Sequence, residues 1–230
     1  MESKNRTMPL DAPFDLYIFD LDGTLVDSRF DLCDAVNHAL ARLGRPPIEV
    51  EQMPQLLGHG ITRLLECVLD SEDAALVAEA RRHFDQWYAH HYTDKTRPYD
   101  GVEEVLAHLA FAKKAVCSNK HHPFTVGIVR ALGLEPHFDM VLGAQPERYP
   151  LKPAPDAIRL ILDRLGVAPG RALIVGDSTH DIEAGKAAGV ATCAVTYGYR
   201  PAEVLRAAGP DWMISDIRGL MRLPVPAEKG

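Results

Sequence analysis

Two aspartates stand two residues apart in Phe19-Asp20-Leu21-Asp22-Gly23-Thr24, and two more stand four apart in Gly176-Asp177-Ser178-Thr179-His180-Asp181. Between them in the chain lie Ser118-Asn119-Lys120 and Lys152-Pro153. Brought to one crevice, these segments would gather four carboxylates, a lysine and a set of small hydroxyl and amide groups. Carboxylates crowded without partners repel one another and hold protons more tightly unless a cation settles among them. Oxygen ligands at that density favour a hard ion such as Mg²⁺, which keeps several waters and takes one or two carboxylates plus a substrate phosphate. Lys152, Thr24, Ser118 and the backbone N–H groups after the first strand would hold the remaining phosphate oxygens. The chemistry points to a small phosphorylated metabolite.

Positioning such residues requires a scaffold whose strand ends converge. Residues 14–19 form an apolar, aromatic-rich run that ends at the first acidic turn, which reads as a buried strand and a loop. Short apolar runs recur at 115–117, 140–142, 172–175, 191–195 and 212–214. Helical spacing separates them, as in Val102, Val105, Leu106 and Leu109 or in Ile158, Leu162 and Leu165. Alternation of this kind implies right-handed crossovers and a parallel sheet covered on both faces. Ligands of such sheets bind outside the carboxyl ends of the strands, where the acidic and hydroxyl segments fall.

The stretch from 27 to 97 is different. Leu32, Val36, Ala39, Leu40 and Leu43 recur at helical spacing, and further helices are expected over 49–57, 61–69 and 72–91, the last with Leu76, Ala80, Phe84 and Trp87 or Tyr88 on one face. The expected fold is therefore α/β, a doubly wound parallel sheet from residues 1–26 and 98–230, with an all-helical cap inserted over residues 27–97. Two connections to the core suit a hinged lid. Residues 1–13 read as a loose polar leader and 224–230 as a frayed end.

Within the cap, Leu57-Gly58-His59-Gly60-Ile61-Thr62-Arg63 is the segment best suited to reading a substrate. Glycines on either side of His59 allow close backbone approach, and Arg63, one helical turn on, could fork onto a substrate carboxylate. Adjacent histidines at 90–91 and 121–122 cannot share a helix face, so zinc is not expected. Cys33, Cys67, Cys117 and Cys193 form no close pair and read as free, buried thiols in a reducing, cytoplasmic setting. Cys117 has no evident histidine partner that would make it a nucleophile.

Composition narrows the classes. A chain of 230 residues that is 47% hydrophobic and 25% charged can build a core and is neither a disordered tail nor a disulfide-stapled miniprotein. A formal net charge of -7 offers no basic face for nucleic acid. No apolar run approaches the length of a membrane span or a secretory signal, so no membrane partner is expected. Oligomeric state is left open.

The four motifs, in this order and spacing, resemble those of the haloacid dehalogenase-like phosphohydrolases, and the resemblance spans Phe14 to about Leu223. Pro98-Tyr99-Asp100-Gly101-Val102, the Asn119-Lys120 pair, Lys152-Pro153-Ala154-Pro155 and Thr196-Tyr197-Gly198-Tyr199 are most similar to the phosphoglycolate phosphatases of that family. The segment from Leu109 to Cys117 departs from the pattern in lacking a glycine before its strand. The resemblance implies that Asp20 is the nucleophile and that Asp22 is the general acid and then the base. It also implies Mg²⁺ on Asp20, Asp177 and the Asp22 carbonyl, with Asp181 as a close or outer partner, and Ser118 and Lys152 neutralising the transferring group. The expected activity is hydrolysis of a small phosphate monoester, 2-phosphoglycolate foremost. A sugar-phosphate phosphatase, a pyrophosphatase, a phosphomutase or a non-catalytic phosphate-binding scaffold are the alternatives.

Overall fold

Leu16, Tyr17, Ile18 and Phe19 are all fully buried, as an uninterrupted apolar run must be when both faces of its strand are covered. A computed structural model describes residues 14–223, so the leader and the expected frayed end lie outside the described residues. The chain runs through β1 (Leu16–Phe19), β2 (Val26–Asp27), α1 (Arg29–Arg42), α2 (Met53–Leu56), α3 (Ile61–Leu69), α4 (Ala74–His91) and β3 (Arg97–Pro98). It continues through α5 (Val102–His108), β4 (Lys113–His121), α6 (His122–Ala131), β5 (Met140–Ala144) and α7 (Asp156–Leu165). The last elements are β6 (Ala172–Gly176), α8 (Thr179–Ala188), β7 (Ala191–Val195), α9 (Ala202–Ala207) and β8 (Trp212–Ile214).

Six strands form one parallel sheet in the order β5-β4-β1-β6-β7-β8. The α/β doubly wound fold read from the sequence is the fold observed. The period of two along each strand splits the interior into two cores. Leu16, Ile18, Ala115, Cys117 and Ile174 enter one, together with Ile158, Ile161 and Leu162 of α7. Tyr17, Phe19, Val116, Leu173 and Val175 enter the other, which runs on without a break into Leu32, Val36, Leu65 and Phe84 of the inserted helices. The topological switch lies beside β1, because the chain fills β4 and β5 on one side before crossing to β6 on the other. That is where a crevice opens at the carboxyl ends of the strands.

Some details depart from expectation. The polar connection near residue 97 contains β3, which pairs antiparallel with β2 through Val26 with Pro98 and Asp27 with Arg97. Two residues per strand are too few to leave a periodic signal. The helix expected over 49–57 is a 3₁₀ turn, Val50–Gln52, followed by the single turn of α2, which has a proline in its first two positions. Where the glycine before β4 is lacking, a 3₁₀ turn at Leu109–Phe111 makes the bend. Cys33, Cys117 and Cys193 are buried as expected, but Cys67 is exposed, on the outer face of α3, and all four are free. Tyr88 is a core residue, while Trp87 stacks between His38 and His91. Among the described residues no helix is long and apolar enough to cross a membrane.

The return crossing at β3 is fixed by one buried carboxylate. Asp31, 1% exposed in the first turn of α1, accepts from Lys95 N at 2.9 Å, Thr96 N at 2.8 Å and Thr96 Oγ1 at 2.7 Å. Removing it strands those donors, each worth about 1–3 kcal/mol when buried and unpaired. Asp31→Ala is expected to lower the unfolding free energy by about 2–4 kcal/mol in urea titration; a loss below about 0.5 kcal/mol would refute this account of the hinge.

Candidate active site

β1 continues past its last strand residue, since Asp20 N donates to Val175 O at 2.9 Å and carries the aspartate to the sheet's edge. The chain then folds into a tight turn in which Leu25 N and Val26 N both donate to Leu21 O. Gly23 adopts φ +83°, and a Cβ there would lie 2.2 Å from Asp177 Oδ2. Only glycine lets the first acidic turn seat directly on the aspartate delivered by β6. Asp181 reaches the same place from the first turn of α8, where it closes a capping box with Ser178.

Lys152 joins these elements. Its ammonium donates to Asp181 Oδ1 and to Cys117 O, both at 2.6 Å, and lies 3.0 Å from Asp20 Oδ1. Asp20 Oδ1 nevertheless accepts no hydrogen bond. Burial alone would depress the Lys152 ammonium's pKa, but the Asp181 and Asp20 carboxylates outweigh it and hold the group protonated. Burial pushes the Asp20 carboxyl up to about 6, with Lys152 pulling it down and Asp181 and Asp22 adding to the rise. Asp177 is pushed well above the carboxylate range by burial and then by Asp20 and Asp181, against the backbone N–H of Tyr199 at 2.7 Å.

One oxygen from each of Asp20, Asp177 and Asp181 lies within 4.8 Å of the others. An all-oxygen donor set of this size, with a buried Asp20 oxygen on which no hydrogen bond is aligned, fits a hard divalent cation. Asp181 is the most committed of the three, since Oδ1 is taken by Lys152 and Oδ2 by Ser178 N and Oγ.

Asp20, Asp22, Ser118, Asn119, Lys120, Lys152 and Asp177 line one cleft of about 800 Å³, its open mouth included. Asp22 is held by Lys120 Nζ, 3.0 Å from both carboxylate oxygens, and by the Ser28 hydroxyl. Asn119 reaches sideways: Nδ2 donates to Gly58 O at 3.0 Å and Lys152 O at 2.9 Å, while Oδ1 accepts from Lys152 N. Its amide is spent on holding the Lys152 segment and the inserted helices together. Thr24 is fully buried beneath the turn and is not on the cleft wall; its Oγ1 has no partner.

The two residues singled out among the inserted helices go elsewhere. The His59 ring packs edge-on against His180, centroids 4.5 Å apart, and neither ring lines the cleft. Arg63 points to solvent, 56% exposed, and pairs with Glu66 and Glu72. Three residues not anticipated lie on the cleft instead. Arg81 and Asp85 of α4 line it as an ion pair. Arg200 crosses from the loop after β7 and donates to Pro54 O and Leu57 O.

A parallel α/β sheet whose strand ends place an aspartate pair, a buried lysine and a two-aspartate helix start around one cleft defines a class of phosphate-ester hydrolases. The haloacid dehalogenase-like hydrolase family model matches residues 17–195. The phosphoglycolate phosphatase of Thiobacillus denitrificans is 36% identical over 203 residues, covering 84% of this chain and 87% of that one. The phosphoglycolate phosphatase of Chromobacterium violaceum is 36% identical over 214 residues, covering 89% and 94%. The crystal structure of a predicted phosphoglycolate phosphatase from Haemophilus somnus superposes with a TM-score of 0.85 at 30% identity, covering 92% of this chain and 98% of that one. The chain belongs to the haloacid dehalogenase-like hydrolase family, as a phosphoglycolate phosphatase-like phosphoric monoester hydrolase.

The site generates two expectations. With divalent ions chelated, Asp20 binds its proton more tightly in the folded chain than in the unfolded one, so its ionisation costs stability as pH rises from about 4 through about 6. In EDTA, Asp20→Asn should therefore gain thermal stability relative to the wild type between about pH 4.5 and 7.5; a difference in Tm that does not vary with pH would refute the shift. Arg200→Ala removes the donors of two carbonyls and should speed amide exchange across residues 57–61 by roughly tenfold, read by mass spectrometry. Unchanged exchange would show that Arg200 does not hold this segment.

Proposed function

We propose that the protein is a Mg²⁺-dependent phosphatase that hydrolyses a small acid phosphate, 2-phosphoglycolate foremost, through an aspartyl-phosphate. One observation carries the reading: the Asp20 carboxylate lies on the cleft wall with its buried Oδ1 3.0 Å from the Lys152 ammonium. The activity in the names of the relatives in T. denitrificans and C. violaceum supports the same substrate.

In this mechanism an Asp20 oxygen attacks phosphorus, and the ester P–O bond breaks with its electron pair leaving on the alkoxide. The alkoxide takes a proton from the Asp22 carboxyl. Asp22, then a carboxylate, takes a proton from a water whose oxygen attacks phosphorus, releasing inorganic phosphate and restoring Asp20. Ser118 and Lys152 neutralise charge on the transferring group, where positioning and electrostatics dominate. Asp20, Asp177 and the Asp22 carbonyl would hold Mg²⁺, with Asp181 as a close partner, and the ion would supply further charge neutralisation there. Asn119 acts through Lys152 by fixing its backbone. Residues 27–97 serve as the cap over a core of residues 1–26 and 98–230, and closure excludes bulk water from the first half-reaction.

Purified protein should release inorganic phosphate from 2-phosphoglycolate, with release abolished by EDTA and restored by Mg²⁺. Asp20→Asn should lose more than about 1000-fold in kcat while keeping its fold by circular dichroism. Turnover retained in Asp20→Asn would overturn the nucleophile assignment. An isomeric phosphate ester returned in place of free phosphate would identify a mutase.

A further inference from the structure

The cleft carries more cationic groups than phosphate chemistry uses, and their partners sort them. Lys152 is committed to Asp181 and Cys117 O by hydrogen bonds and to Asp20 by charge. Lys120 is bound to both oxygens of Asp22 and sits over the Tyr88 ring, 5.0 Å from its centroid. Arg200 is spent on the carbonyls of Pro54 and Leu57. Arg81 differs. Its Nε donates to Asp85 Oδ2 at 2.7 Å, and neither Nη group has a hydrogen-bond partner among the described residues. A guanidinium fixed through Nε presents its remaining N–H bonds as a fork, the geometry that matches a carboxylate.

Its surroundings suit that task. Arg81 projects from the same helix as Phe84 and Tyr88, which wall the cleft with Phe124 and Leu64. Tyr88 carries Lys120 on its ring, and His121, next in the chain, lies in the field of both Arg81 and Asp85. Arg81 thus lines the same cleft as the aspartates that handle phosphate, from the side of α4, where Phe84 and Tyr88 also border it. Asp85 balances its charge through one oxygen and fixes its direction.

We infer that Arg81, oriented by Asp85, forms a subsite for the carboxylate of the substrate's leaving group, so that the cleft selects phosphate monoesters of small carboxylic acids. This rests on the phosphatase reading of the cleft and assigns to Arg81 the substrate contact that the sequence pattern suggested for Arg63. A guanidinium fork on a carboxylate in a partly desolvated cleft is worth about 10- to 100-fold in binding.

The test uses two pairs of esters that differ only in the acid group: 2-phosphoglycolate against ethyl phosphate, and 3-phosphoglycerate against glycerol 3-phosphate. The wild type should favour the acid member of at least one pair in kcat/KM, and Arg81→Gln should cut that ratio by about 10- to 100-fold. Arg81→Lys, which keeps the charge without the fork, should retain an intermediate ratio and carries the test if Arg81→Gln does not fold. Calorimetric binding of the same four esters to Asp20→Asn, with and without Arg81→Gln, gives a readout independent of turnover. A preference that survives Arg81→Gln in both assays, or a wild type that favours neither acid, overturns the subsite. Absence of turnover on every ester, with a carboxylate-dependent Kd that Arg81→Gln abolishes, overturns the phosphatase reading and leaves the subsite standing.

Discussion

The site is organised by one buried ammonium. Lys152 is 5% exposed and could not remain charged at that depth without compensation, which Asp181, Asp20 and the Cys117 carbonyl provide. The same demand runs the other way, because Asp20, Asp177 and Asp181 could not crowd within 4.8 Å without a cation among them. Lys152 supplies one positive charge against three carboxylates, so the cluster still carries excess negative charge. Burial and that excess together raise Asp20 and Asp177, and a divalent ion would relieve both. The strand ends of β1, β4 and β6 and the start of α8 are thereby tied to one electrostatic knot.

Besides the shared apolar core, the segment from α2 to α3 is tied to this knot through its backbone. Asn119 donates to Gly58 O, and Arg200 to Pro54 O and Leu57 O. Contacts to main-chain atoms do not depend on the identity of the side chains they hold. Asn119 makes the attachment part of the chemistry, because the same amide holds both Gly58 and the backbone of Lys152.

Much of this is legible in the sequence because strand ends are legible. Residues 16–19 and 172–175 are apolar runs too short for helices, and the one or two residues after each run must emerge at the carboxyl end of its strand, which places Asp20 and Asp177 in one crevice on sequence grounds alone. The cap is harder to read, since helical spacing gives a face but not its neighbour. On α3, Arg63 lies roughly 180° around the helix from the middle of the stripe formed by the buried Leu64, Leu65 and Leu69, which sends it to solvent. On α4, Arg81 falls roughly 55° from the middle of the stripe formed by Val77, Ala80, Phe84 and Tyr88, and Asp85 falls roughly 95° from it on the same side. A charged pair beside an apolar face is the available signal. Nothing comparable marks Arg200, which lies in a loop and finds carbonyls 146 and 143 residues earlier in the chain, nor the two-residue strands at the hinge.

Those hinge strands connect the cap to the carboxylate proposed as general acid. Asp22 has two side-chain partners, Lys120 at the end of β4 and Ser28 just past β2. Ser28 in turn donates its N–H to the Tyr199 hydroxyl at 3.0 Å, and the backbone N–H of Tyr199 holds Asp177. In the proposed mechanism, closure of the cap about β2 and β3 would move Ser28 and so alter one of the two contacts that aim Asp22, while the contact from Lys120 would stay with the core. The carboxylate proposed to handle the proton is thus placed between one partner on the core and one on the inserted segment. An acid so held would be aimed by both partners only in the arrangement observed, which would couple closure over the substrate to the readiness of the group proposed to protonate its leaving oxygen.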